Sequence, residues 1–268
     1  MKNILKVILI ALVLFYSCIN AKAENVKFIQ ATDVHLTKDN TLYLEDFVNE
    51  INKNYNDLDF VIFTGDNIDK PKIEDLQTFL GIIKKLKVKK YVILGNHDVY
   101  KSGGLNKQLY MKTVRKNLGA YHSDSSNYIF KIKGVVFIVM DGVKEVIPGS
   151  AGFYKESELQ WLDSQLTKYK NKKVVVFQHF PLLDSKRVTH NLYKKENYLQ
   201  VLNKHNNVIA IISGHYHKNR EEFDGSIYHI VTEKFSDNTN YKIIEIDTEI
   251  PMVYSRLISK DENKNNLE

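Results

Sequence analysis

The sequence predicts an α/β fold in which helices cover both faces of a parallel β-sheet. Apolar runs that are too short for helices alternate with longer segments whose apolar residues recur at helical spacing. Two strand–helix–strand units follow each other between residues 26 and 94, and their strands are apolar almost throughout. This pattern is typical of parallel strands buried on both faces.

Ten apolar runs predict strands, at residues 26–31, 59–64, 91–94, 127–133, 135–140, 174–177, 208–212, 226–232, 241–246 and 252–257. Five helices are predicted between them, with apolar faces around residues 44–55, 73–83, 105–118 and 159–169, and in a segment that ends near residue 204. The last three strands are expected to close a second sheet. No segment rich in proline, glycine or serine divides the chain, so residues 24–260 are predicted to form one domain, followed by a polar tail at residues 261–268.

Residues 1–23 predict an export signal, which places the mature protein in the periplasm or outside the cell. A basic start precedes an apolar core at residues 7–16, and Ala21-Lys22-Ala23 is a small-x-small cleavage site. The apolar run is too short to span a bilayer comfortably. The alternatives are a buried amino-terminal helix, an uncleaved anchor, or lipid attachment at Cys18, because residues 15–18 loosely resemble a lipoprotein processing site.

The composition excludes several classes of protein. Of the 268 residues, 43% are hydrophobic and 26% charged, values that are ordinary for a folded chain and not for a disordered one. The net charge of +6 falls to +3 without residues 1–23, so the charge does not demand a nucleic-acid partner. The one cysteine lies in the predicted signal, so no disulfide stabilises the folded part.

Polar clusters at five predicted strand ends carry the functional prediction. They are Asp33 with His35, Asp66, Asn96 with His97, His179, and His215 with His217. Side chains at i and i+2 of an extended segment point the same way, so each Asp-x-His or His-x-His pair is expected to present two ligands together. Imidazole and carboxylate donors suit zinc, iron or manganese. About seven donors are too many for one ion but suit two if Asp66 bridges them.

These clusters resemble the signature of the calcineurin-like metallophosphoesterase superfamily. The blocks are Asp-x-His at 33–35, Gly-Asp-x-x-Asp at 65–69, Gly-Asn-His-Asp at 95–98, a later histidine at 179, and Gly-His-x-His at 214–217. The resemblance implies a four-layer α/β/β/α sandwich, with two mixed β-sheets flanked by helices. It also implies hydrolysis of a phosphate ester by a hydroxide that bridges two metal ions.

The resemblance further implies a role for each residue of the blocks. Asp33, His35 and His217 hold the first metal ion, Asn96, His179 and His215 hold the second, and Asp66 bridges the two. His97 then lies beside the leaving group, as proton donor or as a charge-stabilising group, and the alternative is a histidine that only supports the site. The carboxylate of Asp69 is expected to orient its imidazole, with Asp98 as the second candidate.

Departures from other branches narrow the expected substrate. Lys70-Pro71 and Asp98 replace the residues that are typical of serine/threonine protein phosphatases, and Asp69 replaces the tyrosine of purple acid phosphatases. The chain is most similar to the bacterial branch related to class III cyclic-nucleotide phosphodiesterases. A small phosphodiester, for example a nucleotide, is therefore favoured over a phosphomonoester. A non-catalytic exported protein that binds metal or nucleotide is the alternative from another class.

Overall fold

The computed structural model describes residues 25–37, 39–119, 122–147 and 149–260. The predicted export segment, Cys18 and the predicted tail at 261–268 lie outside these residues. No helix of the described residues is long and apolar enough to cross a membrane.

Strands and helices alternate along most of the chain. The strands are β1 (Val26–Ala31), β2 (Phe60–Thr64), β3 (Lys89–Ile93), β4 (Tyr128–Ile132), β5 (Val135–Met140), β6 (Val174–Gln178), β7 (Val208–Ser213), β8 (Arg220–Phe223), β9 (Tyr228–Val231), β10 (Tyr241–Ile246) and β11 (Val253–Ile258). The α-helices are α1 (Thr41–Asn54), α2 (Ile73–Ile83), α3 (Lys107–Leu118), α4 (Glu156–Lys168), α5 (Lys195–Leu202) and α6 (Phe235–Asn238). Single 3₁₀ turns lie at Lys101–Gly103 and Val188–His190.

The strands form two mixed sheets, which confirms the predicted fold class. The first sheet has the order β11-β10-β1-β2-β3, in which β1, β2 and β3 are parallel and the other two strands are antiparallel. The second has the order β4-β5-β6-β7-β9-β8, in which the four central strands are parallel and both edge strands are antiparallel. The carboxyl ends of parallel strands lie at one edge of a sheet, which is where ligands bind in such folds.

Phenylalanine rings join the two sheets face to face. Phe28 on β1 stacks on Phe60 with ring centroids 4.5 Å apart, and its edge contacts Phe137 at 6.0 Å and Phe177 at 5.6 Å in the second sheet. All four rings are buried. On the outer face of the first sheet, Phe63 packs against rings from α1 and α2. These contacts place two sheets between layers of helices.

The prediction for the last strands is wrong in part. Only β9 joins the second sheet, whereas β10 pairs antiparallel with β1 in the register Val26↔Ile246 and brings β11 to the edge of the first sheet. An apolar run identifies a strand but not its hydrogen-bonding neighbour, because pairing depends on contacts distant in sequence. Strand β8 was not predicted, since Arg-Glu-Glu-Phe is a polar, mostly exposed edge segment.

Candidate metal centre

The seven predicted ligands meet in one place, at the carboxyl ends of strands from both sheets. They are Asp33 and His35 after β1, Asp66 after β2, Asn96 after β3, His179 after β6, and His215 and His217 after β7. Four therefore come from the first sheet and three from the second. The site exists only because the two sheets pack with these edges side by side.

Left-handed backbone turns, and not strand alternation, bring the paired ligands together. Eight described non-glycine residues have positive φ, and five of the eight are predicted ligands. The five are Asp33 (φ 52°), His35 (φ 45°), Asp66 (φ 51°), His215 (φ 69°) and His217 (φ 54°). The expectation of extended i, i+2 pairs is therefore wrong. This conformation costs roughly 1–2 kcal/mol for a residue with a side chain, so the fold concentrates backbone strain at the site.

The first group of donors consists of Asp33, His35 and His217, whose ligand atoms all lie within 4.8 Å of one another. His217 Nε2 is 3.3 Å from Asp33 Oδ1 and 3.3 Å from His35 Nε2. Asp33 is fully buried, while the two imidazoles reach towards solvent. This is the set that the resemblance assigns to the first metal ion.

The second group contains Asp66, His179 and His215, which also lie within 4.8 Å of one another and are all buried. His179 Nε2 is 3.3 Å from Asp66 Oδ2 and 3.2 Å from Asn96 Oδ1, so the amide oxygen belongs to the same group. The same Asp66 Oδ2 is 3.9 Å from His35 Nε2 in the first group. Asp66 thus lies between the groups, where a bridging ligand has to be.

Neighbouring donors hold each carboxylate so that one oxygen faces the cluster. Asp33 Oδ2 accepts hydrogen bonds from the Thr32 hydroxyl at 2.8 Å and the His215 amide at 2.9 Å. Asp66 Oδ1 accepts one from the His97 amide at 2.8 Å, which leaves Oδ2 for the cluster. Such outer contacts orient metal ligands. Sequence reasoning missed Thr32, although a threonine that directly precedes a ligand block is a visible signal.

Thr64, at the end of β2, orients a histidine ligand in the same way. His179 Nδ1 lies 2.9 Å from the Thr64 carbonyl oxygen, which can only accept, so Nδ1 carries the proton and Nε2 faces the cluster. Burial opposes charge on this imidazole, but the Asp66 carboxylate outweighs it and raises the pKa of His179 to about 9. Burial, with the charge on His179, lowers the pKa of His215 to about 3. Metal binding would require the neutral form of both imidazoles.

The donor set fits divalent metal ions. Two buried atoms of the cluster, Asp33 Oδ1 and His215 Nε2, have no hydrogen-bond partner among the described residues. An unpaired buried polar atom costs about 1–3 kcal/mol, and a cation among these acceptors would satisfy both. Imidazole nitrogens and carboxylate oxygens without thiolates are the ligands of catalytic zinc, iron or manganese.

His97 is oriented by Asp69, but through a different atom from the one expected. The prediction assumed the Asp69 carboxylate, whereas His97 Nδ1 lies 2.9 Å from the Asp69 main-chain carbonyl oxygen. Because that oxygen only accepts, Nδ1 donates and Nε2 remains available to a substrate. The Asp69 carboxylate instead lies 4.0 Å from His35 Nδ1. The possible ligand atoms of His35, Asp69 and His97 all lie within 4.8 Å of one another.

Asp98 does not take the role proposed for it as second candidate. Its buried carboxylate accepts hydrogen bonds from the amides of Gly95 at 2.7 Å, Asn67 at 2.8 Å and Ile68 at 3.1 Å, and from the Asn67 side chain at 3.1 Å. These contacts clamp the loop after β2 to the loop after β3. Because its carboxylate binds these main-chain amides and not the His97 imidazole, Asp98 positions the loops that carry Asp66 and Asn96.

A cavity of about 740 Å³ opens above the cluster and is lined by Asp66, Asn96, His97, His215 and His217. Its outer wall comes from the loops after β6 and β7 and includes residues 184–187 and 190. The cavity is large enough for a small organic phosphate, and its floor is the donor cluster.

Gly95 lies against Asp66 so closely that a side chain does not fit. A Cβ at residue 95 would lie 2.1 Å from both Asp66 N and Asp66 Oδ1. We expect Gly95→Ala to displace Asp66, to reduce bound metal and to lower kcat/KM by about a hundredfold, the typical cost of a misplacement near 1 Å. Elemental analysis and steady-state kinetics measure both effects.

Gly81→Ala is the matched control for this prediction. Gly81 lies in α2, where an added Cβ meets nothing within 4 Å. Alanine in a helix interior is slightly stabilising, so metal content and activity should equal those of the wild type. Full metal content and activity in Gly95→Ala would contradict the tight contact with Asp66.

Comparison with known proteins agrees with this geometry. The family model described as calcineurin-like phosphoesterase matches residues 26–219. A protein named "Probable glycerophosphodiester phosphodiesterase", from Arcobacter nitrofigilis, is 30% identical over 166 residues, which are 60% of this chain and 57% of that protein. A protein named "Probable cyclic nucleotide phosphodiesterase", from Fibrobacter succinogenes, is 25% identical over 75% of each chain.

Among solved structures, a dimetal phosphatase from Danio rerio has the same fold. The TM-score is 0.63 at 16% sequence identity, and the match covers 88% of this chain and 99% of that one. The family match contains all seven predicted ligands and spans most of the chain. The chain therefore belongs to the calcineurin-like phosphoesterase family.

Proposed function

We propose that this protein is an exported phosphoesterase that uses two metal ions to hydrolyse a small phosphodiester. The observation that carries the proposal is the pair of donor groups that share Asp66, whose Oδ2 is 3.3 Å from His179 Nε2 and 3.9 Å from His35 Nε2. A single carboxylate oxygen between two sets of imidazoles is what a dinuclear centre requires.

The two groups divide the work of holding the ions. Asp33, His35 and His217 would bind one ion, Asn96, His179 and His215 the other, and Asp66 both. When bound, manganese, iron or zinc ions supply a nucleophile derived from water near neutral pH and neutralise the charge of the phosphate. Hydrogen bonds keep three of these ligands oriented towards the cluster. Asp33 is bonded by the Thr32 hydroxyl, His179 by the Thr64 carbonyl and Asp66 by the His97 amide.

His97 is the group placed to act on the leaving oxygen. Its Nδ1–H is held by the Asp69 carbonyl, and its ring lines the cavity beside the cluster. In its protonated form, Nε2–H donates to the departing alkoxide or aryloxide oxygen, so that the ester oxygen leaves as an alcohol.

Relatives favour a diester over a monoester. The proteins from Arcobacter nitrofigilis and Fibrobacter succinogenes are both named as phosphodiesterases. The Arcobacter protein is matched over little more than half of its length, so its substrate serves here as a proposal for the class only. The substrate we propose is a small diester such as a nucleotide or a glycerophosphodiester, without nucleic acid as a partner.

A metal-reconstitution experiment tests this function. Protein stripped of metal and then supplied with manganese, iron or zinc is assayed on bis(4-nitrophenyl) phosphate and 4-nitrophenyl phosphate. We expect hydrolysis only with metal, at two ions per chain, and a higher kcat/KM for the diester. Faster hydrolysis of the monoester would favour the phosphatase alternative. Tight metal binding without hydrolysis of either ester would favour a binding protein.

Export is proposed from residues 1–23, and the mature amino terminus tests it. After expression of the full chain in a bacterium, mass spectrometry of the exported fraction is expected to show a mature protein that begins at Glu24. Lipid on Cys18 would instead indicate a membrane-anchored lipoprotein, and an intact amino terminus in the cytoplasmic fraction would contradict export.

A further inference from the structure

The outer wall of the cavity carries an excess of positive charge. Lys186 and Arg187, in the loop after β6, and Lys218, in the loop after β7, all line it. The remaining cations of the wall are Arg220 and Lys234. Five cationic side chains thus surround the entrance to a site whose own metal ions would add further positive charge.

Three of these cations have no ionic partner in the part of the chain that the structure describes. Among the described residues, no salt bridge involves Lys186, Arg187 or Lys218, and their side chains are exposed. Arg220, by contrast, binds Glu222, with Nε 2.6 Å from Oε1. Asp184, the acid in this wall, is paired with Lys195 at 2.6 Å. No acid of the described residues therefore balances the charge of Lys186, Arg187 and Lys218.

Hydrogen bonds hold the loop of residues 183–191 in place over the metal centre. The Tyr216 hydroxyl donates to the Leu183 carbonyl at 2.8 Å and contacts Asn191 Oδ1 at 3.0 Å. Arg220 donates to the Asp184 carbonyl at 2.6 Å. Because Tyr216 lies between the ligands His215 and His217, the position of Lys186 and Arg187 is tied to the metal-binding loop.

A simple phosphodiester has no second anionic group that could bind Lys186, Arg187 and Lys218. It has one negative charge, which two metal ions at the cavity floor would already neutralise. Three exposed cations in one wall make its electrostatic potential positive, which attracts an anionic group. An arginine among lysines also suits a phosphate or a carboxylate, since its planar guanidinium binds either with two hydrogen bonds.

We propose that Lys186, Arg187 and Lys218 form a subsite for a second anionic group of the substrate, a phosphate or a carboxylate away from the bond that is hydrolysed. This proposal rests on the proposed function and narrows its substrate class. A diester with a cationic head group is disfavoured, and a diester with an additional negative group is preferred.

Matched nitrophenyl diesters measure the effect of the second group. Thymidine 5′-(4-nitrophenyl phosphate) is compared with the same compound phosphorylated at O3′, with 2-carboxyethyl 4-nitrophenyl phosphate, and with 4-nitrophenyl phosphorylcholine. We expect KM for the O3′-phosphorylated ester to be about tenfold lower than for the parent, as one charge-assisted contact provides. The difference in KM between the two esters should decrease as the salt concentration is raised. KM for 2-carboxyethyl 4-nitrophenyl phosphate shows whether the subsite accepts a carboxylate as well as a phosphate.

Variants assign the effect to the subsite. In Arg187→Gln and Lys218→Gln, the KM advantage of the O3′-phosphorylated ester over the parent is expected to fall by about tenfold. Lys72→Gln, an exposed lysine before α2 and outside the cavity wall, should keep the wild-type ratio. An unchanged ratio in both subsite variants, with hydrolysis intact, would overturn the subsite and leave the proposed function standing.

Calorimetry measures binding to the subsite independently of catalysis. Titration with thymidine 3′,5′-bisphosphate and thymidine 5′-monophosphate reports binding whether or not the protein hydrolyses any ester. The bisphosphate should bind about tenfold more tightly, and Arg187→Gln should remove that difference. Equal affinities in the wild type would overturn the subsite. Absent hydrolysis with a retained difference would overturn only the proposed function.

Discussion

Asp66→Ala is expected to abolish metal binding and hydrolysis together. Asp66 Oδ2 lies 3.3 Å from His179 Nε2 in one donor group and 3.9 Å from His35 Nε2 in the other, and Oδ1 accepts a hydrogen bond from the His97 amide at 2.8 Å. Removal of the carboxylate would take a ligand from both proposed metal ions and a contact from the loop that carries Asn96 and His97. We expect kcat/KM to fall by about a thousandfold or more, because the electrostatic stabilisation of the reacting phosphate is lost.

Elemental analysis and diester kinetics on the same preparation test this prediction. Asp66→Asn keeps the shape of the side chain and its contact with the His97 amide, so it separates loss of charge from loss of packing. Asp57→Ala is the control, an exposed carboxylate that pairs with Lys27. Two ions per chain and wild-type activity in Asp66→Ala would show that another residue bridges the centre.

His97→Ala is expected to slow esters with poor leaving groups far more than nitrophenyl esters. An alkoxide needs a proton as it departs, whereas a nitrophenolate does not, and a general acid contributes about a hundredfold or more. The Asp69 carbonyl accepts from Nδ1 at 2.9 Å, so Nε2 is the nitrogen available for that proton transfer.

The measurement is kcat/KM for a methyl ester and a nitrophenyl ester of the same nucleotide. Metal content is determined in parallel, because His97 is not among the predicted ligands and its removal should leave the ions bound. His205→Ala is the control, a histidine that binds Asp163 away from the cavity. Equal losses on the two esters would exclude a proton-donor role and leave a supporting one.

The ligand residues could be predicted because their chemistry is carried by residue type and position. Carboxylates, imidazoles and an amide at five strand ends predicted a metal centre, and the structure brings Asp33, His35 and His217 together on one side and Asp66, His179 and His215 on the other. The manner of convergence could not be predicted. A strand pattern implies alternation, whereas the backbone at five of the seven predicted ligands is left-handed, a conformation stabilised only by the surrounding packing.

The supporting contacts escaped prediction for a related reason. Sequence identifies Asp69 and Asp98 as acids near His97, but not which oxygen will meet which donor. In the fold, Asp69 uses its main-chain carbonyl, while Asp98 is directed to the amides of Gly95, Asn67 and Ile68. Main-chain contacts of this kind depend on loop conformation, which local sequence does not specify.

The sequence by itself predicted the α/β class, most of the strands and helices, and the side chains that the fold gathers into one cluster, because apolar periodicity and residue type are local properties. Only the tertiary structure decided that β10 and β11 complete the first sheet and that Asp66 lies between two donor groups. It also decided that Lys186, Arg187 and Lys218 line the cavity without an ionic partner among the described residues. The pairing of β10 with β1 and the position of Asp66 depend on contacts between residues more than thirty positions apart in the chain. The surroundings of the three cations depend on the same long-range packing. The donor cluster forms because the two sheets pack face to face with the carboxyl ends of their parallel strands side by side.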